Sequence, residues 1–267
     1  MKTRIDQCLE RLRGQGRKGF VAYITAGDPS LKETVEVVLQ LEKAGADIVE
    51  LGVPFSDPLA DGRVNQDAAT RALAAGATWG GLLDCVKRIR SRSQIPLILY
   101  SYLNPLIAGG FERTVRQAAA AGVDGFLVVD LPAEEMAPYA RTLRRQGLNN
   151  ICLITPTSPP ARIRKIVGHT SGFAYCVSRE GVTGMQKQLA PSALTLIRRT
   201  RRCTKLPIAL GFGISTPAQA RAAAAEADAV VVGSAIVNRF ANAPRTAAGR
   251  TSAGKWTRRL VRAVKEL

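Results

Sequence analysis

Eight short apolar runs recur along the chain, each closing a longer stretch with helical periodicity. They are FVAYITA (20–26), ADIVELG (46–52), IPLILYS (95–101), VDGFLVVD (123–130), NICLIT (150–155), GFAYCVS (172–178), LPIALGF (206–212) and ADAVVVG (227–233). Runs that are apolar at nearly every position suit strands buried on both faces, as in a parallel sheet. Between the first two, SLKETVEVVLQLEKAG (30–45) sets Leu31, Val35, Val38 and Leu39 on one stripe and turns Glu33, Glu36 and Gln40 away. Ser30 and Glu33 read as a capping box, and Gly45 as the stop.

The junction AGADIVE returns as AGVDGFLV and, more loosely, as AEADAVVV. Strand–helix alternation over about 250 residues predicts the α/β class and a (β/α)8 TIM barrel. One domain is expected over 1–267, with an extra N-terminal helix (3–14) and an enlarged connection (53–94) after the second strand. A doubly wound open sheet is the alternative, but ITAGDPSL after the first run offers no GxGxxG. The stretch ANAPRTAAGRTSAGK (241–255) reads as a linker to a terminal helix, WTRRLVRAVKEL.

Composition narrows the class of partner. No apolar stretch approaches the roughly 20 residues needed to span a bilayer, so no membrane association is expected. The N-terminus lacks the apolar core of a signal peptide. Five scattered cysteines without a CxxC pair argue against disulfide or zinc frameworks, and a cytoplasmic setting is expected. The 38 basic residues outnumber the 21 acidic ones, a formal charge of +17. With only 5% aromatics to stack on bases, this reads as solvated helix faces and not as a nucleic-acid surface. It still predicts attraction to phosphorylated or acidic partners.

Barrels of this kind carry their chemistry at the C-terminal ends of the strands. There the sequence reads ELGVPFSDPLADG (50–62). Strand alternation puts Glu50 on the face of Ile48, opposite Val49 and Leu51. Facing inward, Glu50 would have its pKa raised by desolvation and could donate a proton near neutrality; pairing with an arginine is the alternative. Asp57 and Asp61 lie in a loop stiffened by prolines, which suits fixed carboxylates or a plain surface turn. GFGIST (211–216) and GSAIV (233–237) have the composition of phosphate cradles at helix N-termini. SREGVTGMQKQLA (178–190) has the length and glycines of a closing loop. The single histidine, His169, falls at the opposite end, and no metal cluster is apparent. Acid–base work is left to carboxylates and tyrosines.

Taken in order from about Gly19 to Val237, ELGVPFSDPLADG, SYLNPL, DLPAEE, SREGVTG, GFGIS and GSAIV resemble the tryptophan synthase alpha subunit family. The resemblance implies a retro-aldol cleavage of indole-3-glycerol phosphate to indole and glyceraldehyde 3-phosphate, without cofactor or metal. Glu50 matches the family's catalytic acid/base, and Asp61 the aspartate that stabilises the indole nitrogen. Tyr175 matches an active-site tyrosine, Tyr102 a residue lining the indole pocket, and Thr183 the lid threonine that contacts the aspartate. Gly184, Gly213, Gly233 and Ser234 match the phosphate cradle. The implied partner is the pyridoxal-phosphate beta subunit in an alpha2beta2 complex, towards which Asp57 lies in the family. A catalytically weak subunit that activates its beta partner, or a stand-alone lyase, would carry the same residues.

Two positions depart from the family. After LADG a proline is usual, then an aliphatic residue two further on; here Arg63 and Asn65 precede Gln66. Either Arg63 pairs with Asp61, the loop loosens and activity falls, or Arg63 points to solvent and Asn65 is tolerated.

Overall fold

The computed structural model describes residues 2–177, 191–211 and 213–266. The eight runs form the parallel strands β1 (Gly19–Thr25), β2 (Ile48–Gly52), β3 (Leu97–Ser101), β4 (Gly125–Val128), β5 (Asn149–Ile154), β6 (Ala174–Val177), β7 (Ile208–Gly211) and β8 (Ala229–Val232). They close into a barrel in sequence order, with β8 paired to β1. The anticipated N-terminal helix is α1 (Arg4–Gly14), and α2 (Leu31–Ala44) joins β1 to β2. The enlarged connection holds α3 (Arg63–Ala74) and α4 (Trp79–Arg90). Then follow α5 (Leu103–Ile107), α6 (Phe111–Ala121), α7 (Met136–Arg145), α8 (Pro160–His169), α9 (Pro191–Arg201), α10 (Pro217–Glu226), α11 (Ser234–Ala241) and α12 (Ala247–Lys265).

Two apolar layers hold the barrel. Outward strand residues such as Val49, Leu51, Leu97 and Leu99 pack beneath the helices. Inward residues, among them Val21, Ile48, Ile98, Leu127, Ile151 and Phe173, fill the lower interior. Ile5, Cys8, Leu9 and Leu12 of α1 join this inner cluster, so the extra helix plugs the barrel's lower end. A capping box of Thr3 and Asp6 starts that helix.

The repeated junction motif has a physical cause. Asp47, Asp124 and Asp228 each stand just before a strand and accept a backbone N–H from the preceding one: Phe20, Leu97 and Ile208, each at 2.8 Å. Each also pairs with a base: Lys265 with Asp47 (2.9 Å), Arg90 and Arg4 with Asp124 (2.6 and 2.9 Å), Arg201 with Asp228 (3.2 Å). The motif therefore sets strand register at the lower rim.

The segment 241–255 is not a linker throughout, because α12 begins at Ala247 with Thr246 as its N-cap. Its small residues serve close packing: Gly249, Ala253 and Gly254 are buried, and a Cβ at Gly254 would lie 2.7 Å from Cγ of Gln40 on α2.

Candidate active site

At the upper mouth, strand alternation turns Glu50 inward, between Tyr23 of β1 and Ile98 of β3. Its side chain is only 1% exposed, and Oε1 has no hydrogen-bond partner among the described residues. Burial alone pushes its pKa up to about 8, so the carboxyl is protonated at neutral pH. Among the described residues no arginine pairs with Glu50.

Glu50 lines a cavity of about 240 Å³ that also brings together Asp61, Tyr175, Gly213, Gly233 and Ser234. Asp61, at the end of the loop after β2, accepts Tyr100 Oη on Oδ1 (3.1 Å) and Tyr102 Oη on Oδ2 (2.9 Å). Burial leaves its pKa raised, and hydrogen bonds from the Tyr102 and Tyr100 hydroxyls and the Asn65 side chain offset only part of that rise. The two carboxyls thus sit in unlike settings: one dry and unpartnered, the other clasped by donors. Such a pair can divide acid and anion roles between them.

Tyr102 is not among the residues lining this cavity; it stands behind Asp61, and its hydroxyl also accepts the Ala60 N–H (2.9 Å). Burial and Glu50 raise the Tyr175 pKa far above its ordinary value, which keeps it a neutral hydroxyl. Gly213, at φ +72°, and the N-terminus of α11 at Gly233–Ser234 border the same space. The first N–H groups of a helix have no intrahelical acceptor and suit an anion. The start of α10 is different: Thr216 and Gln219 cap it themselves. Thr183 and Gly184, with the rest of the anticipated lid (178–190), lie outside the described residues.

Sequence reasoning passed over two tyrosines and the glycines that admit them. Tyr23 and Tyr100 meet edge to face at 5.0 Å on the cavity wall. A Cβ on Gly52 would come within 2.8 Å of Tyr23 Cζ, and one on Gly211 within 2.8 Å of Tyr175 Cε1. Each glycine ends a strand, and each leaves the room a tyrosine ring occupies. The signal was present in the inward register of the final glycine in ELG and ALG.

The departures are also placed. Arg63 opens α3 with an 85% exposed side chain paired to Asp67 (2.9 Å), so it does not compete for Asp61. The loop stays tied without proline: Gln66 Nε2 donates to the Asp61 carbonyl (2.9 Å) and to that of Pro58 (3.4 Å). Asn65 lines the cavity, with Oδ1 buried and unpartnered.

Known proteins resemble this chain over nearly its whole length. The profile of the tryptophan synthase alpha chain family matches residues 9–264. A tryptophan synthase alpha chain from Geotalea daltonii is 50% identical over 237 residues, covering 89% of this chain and 90% of its own. The chain belongs to the tryptophan synthase alpha chain family. Its enzymes are lyases of tryptophan biosynthesis, and the relative from Solibacter usitatus matches 97% of both chains at 43% identity. Among solved structures, tryptophan synthase subunit alpha from Legionella pneumophila superposes with a TM-score of 0.91 at 36% identity, covering 100% of both chains. A mutant alpha subunit from Pyrococcus furiosus superposes at 0.85 with 34% identity, covering 92% of this chain and 98% of that one. Family membership therefore rests on nearly the whole barrel. Among the described residues no helix is long and apolar enough to cross a membrane.

Proposed function

We propose that this chain cleaves indole-3-glycerol phosphate into indole and glyceraldehyde 3-phosphate. The protonated Glu50 delivers its proton to C3 of the indole ring, which turns the ring into a leaving group. The resulting carboxylate then takes the proton of the adjacent side-chain hydroxyl. The carbon–carbon bond breaks, its electron pair returns to the ring, and the hydroxyl carbon becomes the aldehyde. Glu50 ends protonated, as it began. Asp61 faces the ring nitrogen and offsets the positive charge that gathers there in the intermediate. Tyr175 walls the cavity beside Glu50, and Tyr102 and Tyr100 hold Asp61 in place. Gly213, Gly233 and Ser234, with Gly184 and Thr183 of the lid by resemblance, take the phosphate end and the closing contact. The beta subunit of tryptophan synthase is the partner, receiving the indole.

One observation supports this most: a carboxyl at the barrel's mouth, buried without a partner and protonated near neutrality, shares a cavity with a clasped carboxylate. The test is indole release from indole-3-glycerol phosphate by the purified chain, with and without a beta subunit. Turnover that rises when the beta subunit is added is expected. Fast turnover that ignores the partner would make this a stand-alone lyase. No turnover in either condition, with the beta reaction still stimulated, would leave an activating subunit in its place. Arg63, held in solvent by Asp67, gives that last reading no support.

A further inference from the structure

Among the described residues, two buried side-chain oxygens lack a hydrogen-bond partner, Glu50 Oε1 and Asn65 Oδ1. Both belong to residues that line the same cavity. Most buried polar atoms in native proteins are partnered, so an orphaned pair on two residues of one cavity calls for a ligand. Glu50 has its role in the proposed reaction; Asn65 has none. It stands in the first turn of α3, its backbone N–H bonded to Gly62 O (3.0 Å), just past Asp61.

A carboxylate can only accept hydrogen bonds, so the neighbouring amide presents its NH2 group to Asp61. That leaves the carbonyl end of Asn65 unpartnered beside the cavity. Asp61 already receives two tyrosine hydroxyls, which use one lone pair on each oxygen. We propose that Asn65 is a substrate-positioning residue, its Oδ1 accepting the ring N–H of the indole moiety together with Asp61. The assignment rests on the proposed reaction, which puts the ring nitrogen at Asp61. It also gives the buried amide a partner that the folded chain does not supply. A carbonyl dipole strengthens its hold on the N–H as the ring becomes positive, and adds no charge of its own.

The test compares two ligands of one shape, indole and benzothiophene, whose sulfur replaces the N–H. Affinities for the full chain are measured by calorimetry, for the unaltered protein and for Asn65→Leu and Asn65→Ala. The unaltered chain is expected to prefer indole, and both variants to lose about fivefold of that preference, the size of one ordinary hydrogen bond. A packing role alone would weaken both ligands equally; an unchanged ratio in both variants overturns the inference. So does an unaltered chain that does not prefer indole. Thermal melts of the variants check folding, and Asn65→Leu should melt no lower than the unaltered chain. Turnover of indole-3-glycerol phosphate is read separately. Failure of the lyase reading therefore appears in a different measurement from failure of the Asn65 assignment.

Discussion

Glu50 answers to two opposing demands, because a dry carboxyl makes a good acid near neutrality and a poor contributor to stability. Its pKa stands at about 8 in the folded chain against an ordinary 4.5, so between those values the native state keeps a proton the unfolded chain has lost. Stability should then fall as pH rises from about 4.5 to 8. In Glu50→Gln that slope should flatten, and at pH 9 the variant should outlast the unaltered chain by a few kcal/mol at most, as urea melts at several pH values would show. The same substitution should lower kcat by about 10² to 10⁴, since an amide has no proton to deliver. Parallel pH–stability curves for the two proteins would contradict the burial argument. In the unaltered enzyme kcat/KM should decline above about pH 8, where Glu50 ionises. Asp61 sets the other limb, since it must be ionised. Tyr100 donates to its charged form, so Tyr100→Phe removes a stabilising bond and should move the rising limb to higher pH. A limb that stays in place would mean Tyr100 does not govern Asp61.

Secondary structure supplies these groups, and here the sequence was readable to different depths. Every strand could be found because a parallel barrel strand is apolar on both faces, and Glu50 stood out as the charged residue inside one of them. The terminal helix was cut short in the reading because TAAGRTSAGK is built of small residues; their fit against α2 appears only once the chain is folded. Tyr23 and Tyr100 escaped notice since a tyrosine in a strand looks like core, and only the register shows Gly52 beside Tyr100 and Glu50 beside Tyr23. Gly52→Ala and Gly211→Ala should therefore displace the Tyr23 and Tyr175 rings, costing about 1 to 3 kcal/mol and a share of activity. Crystal structures with unmoved rings would refute this. At the lower rim, Asp124 is 4% exposed, and burial already lowers the pKa of its partner Arg90 to about 10. Asp124→Ala leaves that guanidinium without its carboxylate and should cost about 3 to 5 kcal/mol in a denaturant melt. Turnover of the folded fraction should be unaffected, since the rim lies at the far end from the mouth.

Across the barrel the +17 charge has an order that composition did not reveal. Lys43 closes α2, Lys87, Arg88 and Arg90 close α4, Arg144 and Arg145 close α7, Arg198, Arg199 and Arg201 close α9, and Arg262 and Lys265 close α12. In a parallel barrel the helices run against the strands, so these last turns gather at the lower end, where α1 adds Arg11 and Arg13. Cations there complement the helix dipoles. The mouth presents a different surface. The loop after β2 holds Asp57 exposed and Leu59 89% exposed, the most exposed of the large apolar side chains among the described residues. Leu59 lies two positions before Asp61, whose carboxylate is clasped by Tyr100 and Tyr102. A partner that buries Leu59 would press on the segment holding the site, which links assembly to catalysis. Leu59→Ser should then weaken binding of the beta subunit about tenfold, the scale of a truncated interface anchor, with turnover of the isolated chain unchanged. Sedimentation at graded protein concentration measures the first, and indole release the second. Because these helix-end cations lie at the opposite end and the exposed Arg63 near the mouth is paired with Asp67, raising sodium chloride should alter the beta-subunit Kd only slightly. Steep weakening by salt together with no effect of Leu59→Ser would place the partner on the basic end instead.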